Sequence, residues 1–169
     1  MSDMSREHLI PEFTNLIKWY DKDGVSRILD VGCGTLHQSF KRIYGERYTS
    51  LDLSSTPFPK SVPGDAHDLS MFHDDSFDIV TMWSIIEHLK EPYKALSEAI
   101  RVAKTVVTLS TDFTERDKNM SDNHYYSWTQ KTLNHLLSEF GESKTWVAGN
   151  ILWGVIKKCG SVNSEKTQQ

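Results

Sequence analysis

The sequence predicts an α/β fold: a doubly wound, mostly parallel sheet with helices on both faces, three layers in α-β-α order, and an antiparallel C-terminal strand. Three observations predict it. Short apolar runs alternate along the chain with segments of helical periodicity, the order that builds parallel strands joined by crossover helices. The first apolar run leads straight into a glycine turn, Gly32-Cys33-Gly34. The last two runs are separated only by Gly149-Asn150, a hairpin-type pair that makes them antiparallel neighbours.

The elements follow in order. Leu9, Ile10, Phe13, Leu16, Ile17 and Tyr20 recur at helical spacing and Gly24 follows as a stop, so residues 1–24 hold an amphipathic first helix. Residues 27–31 form the first strand. Phe40, Ile43 and Tyr44 mark a helix ended by Gly45, and residues 48–53 a second strand. Pro57, Pro59 and Pro63 make residues 54–64 a loop, because proline lacks the N–H that a central strand needs. Residues 77–82 are a strand, and residues 91–102 a helix with Pro92 at its first turn. The β-branched run 105–110 is a buried strand. A polar connection, 111–123, leads to a helix over 128–140 with Leu133, Leu136, Leu137 and Phe140 on one stripe. Strands at 144–148 and 151–157 close the fold. The expectation is one domain over residues 1–159 and a flexible polar tail over 160–169.

Composition narrows the class. With 169 residues, 38% hydrophobic and 25% charged, the chain suits one globular domain and not a disordered one. Nineteen basic against 23 acidic residues leave a net charge of −4, which argues against broad binding to a nucleic-acid backbone. Cys33 and Cys159 form neither a disulfide framework nor a zinc-type pair, so a reducing, cytoplasmic setting is expected. No apolar run approaches the ~18 residues of a membrane span, and residues 1–10 lack the core of a secretory signal.

In sheets of this kind a ligand sits beyond the carboxyl ends of the strands, where strand order reverses. Asp30-Val31-Gly32-Cys33-Gly34-Thr35 falls there. A dinucleotide fingerprint would need glycine at position 37, and His37 stands there, so a nicotinamide cofactor is disfavoured. Asp52 ends the second strand, where a carboxylate accepts hydrogen bonds from both hydroxyls of a ribose. Alone, Asp52 reads as a turn-former ahead of Ser54-Ser55; beside the glycines it reads as a nucleoside ligand.

Five blocks occur in order: Ile28-Leu29-Asp30-Val31-Gly32-Cys33-Gly34-Thr35, Leu51-Asp52-Leu53, Gly64-Asp65-Ala66, Asp75-Ser76-Phe77-Asp78-Ile79-Val80 and Glu87-His88-Leu89. Together they resemble the class I S-adenosylmethionine-dependent methyltransferases, specifically their small-molecule type methyltransferase domain. The resemblance implies the Rossmann-like, seven-stranded fold of that family, S-adenosyl-L-methionine as cofactor and S-adenosyl-L-homocysteine as product. It implies that Asp30, Gly32 and Gly34 line the methionine end and that Asp52 holds the ribose hydroxyls. Asp65 would face the adenine amino group with Ala66 beside the ring, and Trp83 and Ser84 would close over the methionine moiety. His88 is a site-adjacent position in such relatives.

Two departures stand out. Leu36 replaces the family's third glycine and would add bulk near the sugar or methionine. The usual Pro-Gly-Gly turn is missing, since Arg101-Val102-Ala103-Lys104 runs directly into the next strand.

Methyl transfer requires chiefly that the acceptor be held in line with the methyl group, with a base only where a proton leaves early. His88 and His124 are the candidate catalytic residues, and Asp112 and Glu87 lesser ones. Each has a plainer alternative: His88 packing at a helix start, His124 on a surface loop, Asp112 in a turn. No metal is expected, because Asp74-Asp75 with His73 and Asp78 reads as a solvated turn. Tyr125, Tyr126 and Trp128 either wall an acceptor site or start a helix that buries Trp128.

The expected acceptor is a small molecule, with nucleic acid and membrane disfavoured and a second copy or partner chain available to complete a shallow acceptor site. The rival expectation is a non-catalytic, methyltransferase-like scaffold, which Leu36 favours and the intact Asp30, Gly34, Asp52 and Asp65 oppose.

Overall fold

The computed structural model describes residues 6–53, 61–113 and 123–158; Cys159 and the tail at 160–169 lie outside them. Seven strands form one sheet in the order β3-β2-β1-β4-β5-β7-β6. They are β1 (Ile28–Val31), β2 (Tyr48–Asp52), β3 (Val62–Pro63), β4 (Phe77–Trp83), β5 (Ala103–Asp112), β6 (Glu142–Ala148) and β7 (Ile151–Lys157). All pairings are parallel except β5 with β7 and β7 with β6. The order reverses between β1 and β4, which opens a crevice at the carboxyl end of β1.

Helices α1 (Ile10–Tyr20) and α2 (His37–Tyr44) cover one face, and α3 (Pro92–Val102) and α4 (Gln130–Ser138) the other. The alternation of strand side chains divides the core accordingly. Ile28, Ile79, Trp83, Val106 and Trp153 pack with Phe13, Ile17 and Phe40. Leu29, Val80, Met82, Val107 and Leu152 pack with Leu96, Ala99, Leu133 and Leu137 on the opposite face. Each such fully buried side chain contributes about 2 kcal/mol relative to exposure. A Cβ on Gly154 would stand 2.6 Å from Leu137 Cδ1, so α4 lies against bare backbone of β7.

The element boundaries differ from the sequence reading in physically explicable ways. Within residues 54–64, read as loop, Val62 and Pro63 pair with Leu51 and Asp52 as β3. Proline is tolerated because this strand is the sheet edge. Helix α4 starts later than residue 128 because Thr129 caps it, its hydroxyl accepting from Thr132 N–H at 3.1 Å. Trp128 precedes the helix, 7% exposed, in the core. Helix α3 ends at Val102 and β5 begins at Ala103 with no intervening residue, which is how the chain dispenses with a glycine turn. No helix among the described residues is long and apolar enough to cross a membrane.

Candidate functional site

The crevice floor is the turn after β1. Gly32 and Gly34 have φ of +73° and +48°, values open to glycine at little cost. The turn is pinned by backbone bonds: Gly32 and Cys33 N–H both donate to Leu51 O, at 2.8 and 3.3 Å. Gly34 N–H donates to Asp52 Oδ2 at 3.0 Å. One bond does not exhaust the carboxylate, which has lone pairs for several donors. Opposite the turn, Ile85 lies so close that a Cβ on Gly32 would stand 2.3 Å from its Cδ1.

Asp30 is 1% exposed and accepts from Tyr48 Oη at 2.5 Å and Thr81 Oγ1 at 2.7 Å. Burial pushes its carboxyl up to about 6, the two hydroxyl bonds oppose that rise, and the nearby charge of Asp52 adds to it. Burial also pushes the Cys33 thiol up, with Asp30 and Asp52 adding to the effect, so Cys33 is not poised as a nucleophile. A small cavity of about 60 Å³ lies between Asp30, Gly34, Leu36 and Trp83. Trp83, 4% exposed, is held by stacking on Phe13 at 4.1 Å between ring centroids and by Phe40 at 4.9 Å. Leu36 borders this cavity while packing into the core shared with α1 and α2.

A larger cavity, about 620 Å³, opens beside it and is lined by Gly32, Asp52, Asp65, Ala66, Ile85 and His88, among others. It lies beyond the carboxyl ends of β1, β2 and β4. Two more voluminous depressions, about 840 Å³ beside Arg101 and about 860 Å³ beside Asn134, include none of the cofactor-binding candidates, although the first shares His67 and Lys94 with this cavity. Asp65 accepts from His67 N–H at 2.9 Å and contacts His67 Nδ1 at 2.7 Å. These bonds hold its carboxyl below the usual range. Ser84, 4% exposed, has φ +50°, a conformation costing a non-glycine residue on the order of 1 kcal/mol. The strain sits where the chain leaves β4 for the crevice.

The far wall joins two separate stretches of chain. A 3-10 turn, Ile86–His88, carries His88; its Nδ1 lies 3.0 Å from Asn123 O, so that nitrogen is the donor. Tyr125 and Tyr126 N–H donate to Glu87 O at 2.8 and 3.3 Å. The His88 and His124 rings meet edge to face, 4.6 Å between centroids, and Tyr125 lines the cavity.

The structure thus places Asp30, Gly32, Gly34 and Trp83 around one cavity or the junction of the two, and Asp52, Asp65 and Ala66 around the larger. It brings His88 and His124 together, although they are far apart in sequence. It leaves Asp112 exposed at the end of β5, and it separates Trp128, in the core, from Tyr125 at the cavity. Residues that sequence reasoning missed are Tyr48 and Thr81, which hold Asp30, and Ile85, which covers Gly32. Tyr48 and Thr81 carried one legible signal: hydroxyl side chains in apolar strands.

The crevice thus combines a carboxylate at the end of β2, a glycine turn open to close approach and a buried carboxylate beside the small cavity. A family model described as methyltransferase domain matches residues 29–109. The chain is similar to a solved SAM-dependent methyltransferase from Aquifex aeolicus, 22% identical, TM-score 0.67, covering 92% of this chain and 93% of that one. A second, from Archaeoglobus fulgidus, is 16% identical with a TM-score of 0.72, covering 91% and 95%. A third, from Thermotoga maritima and described as a possible histamine N-methyltransferase, is 16% identical with a TM-score of 0.62, covering 91% and 98%. No curated protein matches the chain.

Proposed function

We propose that this chain is a class I S-adenosylmethionine-dependent methyltransferase, a reading supported by the methyltransferase-domain match and the shared fold, and that it transfers the methyl group of its cofactor to a small-molecule acceptor seated against His88 and His124. The observation that carries the reading is one cavity shared by Asp52 and Asp65 at one side and His88 at the other. When bound, S-adenosylmethionine supplies a methyl group on a sulfonium and departs as the neutral thioether, S-adenosylhomocysteine.

The protein's task is then placement and local charge. Asp52 would accept hydrogen bonds from the ribose hydroxyls, and Asp65 and Ala66 would hold the adenine. Asp30, across the small cavity, offers negative charge to the amino group of the methionine end, directly or through water. Trp83 closes that end. His88 donates through Nδ1 to Asn123 O, so in its neutral form Nε2 keeps a lone pair. His88 and His124 are the groups at this wall able to hold an acceptor.

Calorimetric titration with S-adenosylmethionine and S-adenosylhomocysteine tests the cofactor half. Stoichiometric binding of both is expected, and no heat from either overturns it. Incubation of the chain with a metabolite panel and radiolabelled methyl donor tests the acceptor half. Label is expected in a small soluble product, and label confined to macromolecules would overturn the acceptor class.

A further inference from the structure

We infer that Glu87, His88 and His124 form a binding site for one first-row divalent metal ion, with open coordination positions on the acceptor side of the cavity. The inference rests on the acceptor placement above and names how that wall works. One ligand atom from each of the three residues lies within 4.8 Å of the others. Ligands of a common ion stand about 2.0–2.2 Å from it, so the set closes by side-chain shifts on the order of an ångström.

The chemistry of the set is specific. One carboxylate with two imidazoles suits Zn²⁺, Mn²⁺ or Fe²⁺, whereas Ca²⁺ and Mg²⁺ prefer all-oxygen shells. Glu87 is 1% exposed, unlike the surface carboxylates that cluster without a metal.

The surroundings fix the ligands as metal sites require. His88 Nδ1 is bonded to the Asn123 carbonyl at 3.0 Å, which directs Nε2 to the ion. Such bonding of the second ring nitrogen is the usual outer support of a metal-bound histidine. The paired bonds from Tyr125 and Tyr126 N–H to Glu87 O clamp the segment bearing His124 against the turn bearing Glu87 and His88.

Three protein ligands leave at least one position for a small molecule, and His88 borders the cofactor cavity. The acceptor class that exploits this is an oxygen nucleophile, a hydroxyl able to coordinate the ion. Coordination lowers the pKa of the hydroxyl; its proton passes to water. The oxygen lone pair then forms the bond to the methyl carbon as the carbon–sulfur bond breaks toward sulfur. The two histidines thus act as ligands, and the proton needs no protein base.

The test is calorimetry of the chelator-stripped 169-residue chain with MnCl₂ and, separately, ZnCl₂, repeated on E87Q, H124A and the surface control H135A. One ion per chain is expected for the parent and H135A, with affinity lowered about tenfold or more in H124A and E87Q. Absence of binding in the parent, or equal affinity in all four proteins, overturns the site. S-adenosylhomocysteine binding is measured on the same samples and is expected to persist in H124A. This verifies the fold of the variant, and a parent that binds metal but no nucleoside would condemn the cofactor reading alone.

Discussion

At the turn after β1, position is set by main chain and by polar groups buried in the sheet. Gly32, Cys33 and Gly34 donate to Leu51 O and Asp52, and Asp30 is locked by Tyr48 and Thr81. On the acceptor side, position is set by side chains from two stretches of chain that meet only after β5 has crossed the sheet. His88 and His124 touch because Tyr125 N–H reaches Glu87 O. In the first region the turn is fixed within the contiguous unit from β1 to β2, and only Thr81 comes from a distant strand. In the second, the contacts join residues 87–88 to residues 123–126.

The contrast is broken most severely at Gly32. An alanine there forces Ile85 aside and places a side chain at φ +73°, which should cost about 3 kcal/mol of stability. Urea denaturation measures the loss, and S-adenosylhomocysteine binding should disappear with it. A variant of undiminished stability and affinity would show that close approach at the turn is unimportant.

Next in size is the buried carboxylate. Burial pushes the Asp30 carboxyl up to about 6, above its ordinary value of 3.8. Between those values the folded state holds a proton that the unfolded state releases. The contribution of Asp30 to stability is therefore greatest below about pH 4 and falls as pH rises to about 6, by roughly 3 kcal/mol at most. Asp30→Asn should flatten that segment of the profile of urea midpoint against pH, whereas a parallel profile would remove Asp30 as its source. Because the ionised form is the one that attracts an ammonium group, cofactor affinity should weaken on acidification below about pH 6.

Asp52→Ala removes charge-assisted bonds worth about 2 kcal/mol, so the dissociation constant for S-adenosylhomocysteine should rise roughly thirtyfold by calorimetry, with the fold retained. Unchanged affinity would displace the ribose from this position. The smallest effect sharpens the comparison from the other side: H88N should change cofactor affinity by less than about threefold, within the range of a surface change, while suppressing turnover. A loss of affinity equal to that of D52A would mean that the two regions are not separable.

The same contrast explains what was legible in the sequence. The fold was readable because strand runs and helical stripes are periodic, and the glycine turn with Asp52 because both lie within one contiguous unit. β3 was not, since two residues in a proline-containing stretch carry no periodicity and are strand only by virtue of the edge they meet. The partners of Asp30 were not, because Tyr48 and Thr81 reach it through the registers of β1 with β2 and with β4, which alternation alone does not fix. Glu87 and His88 were visible as a pair, but His124 joins them only through the course of the chain after β5. Charged residues at 73, 74, 75 and 78 drew attention as a possible cluster, while the compact Glu-His-His set was split across two segments.

The stack of Phe13 on Trp83 has a mechanical corollary. The Trp83 indole, which lines the small cavity, is clasped between Phe13 of α1 and Phe40 of α2, so α1 meets that cavity's wall by aromatic contact. Displacing Phe13 would change the surroundings of Trp83 first, because their rings stack at 4.1 Å. With Trp83 as one of five tryptophans, comparing Phe13→Leu in the parent and in a Trp83→Phe background isolates its share of the intrinsic fluorescence.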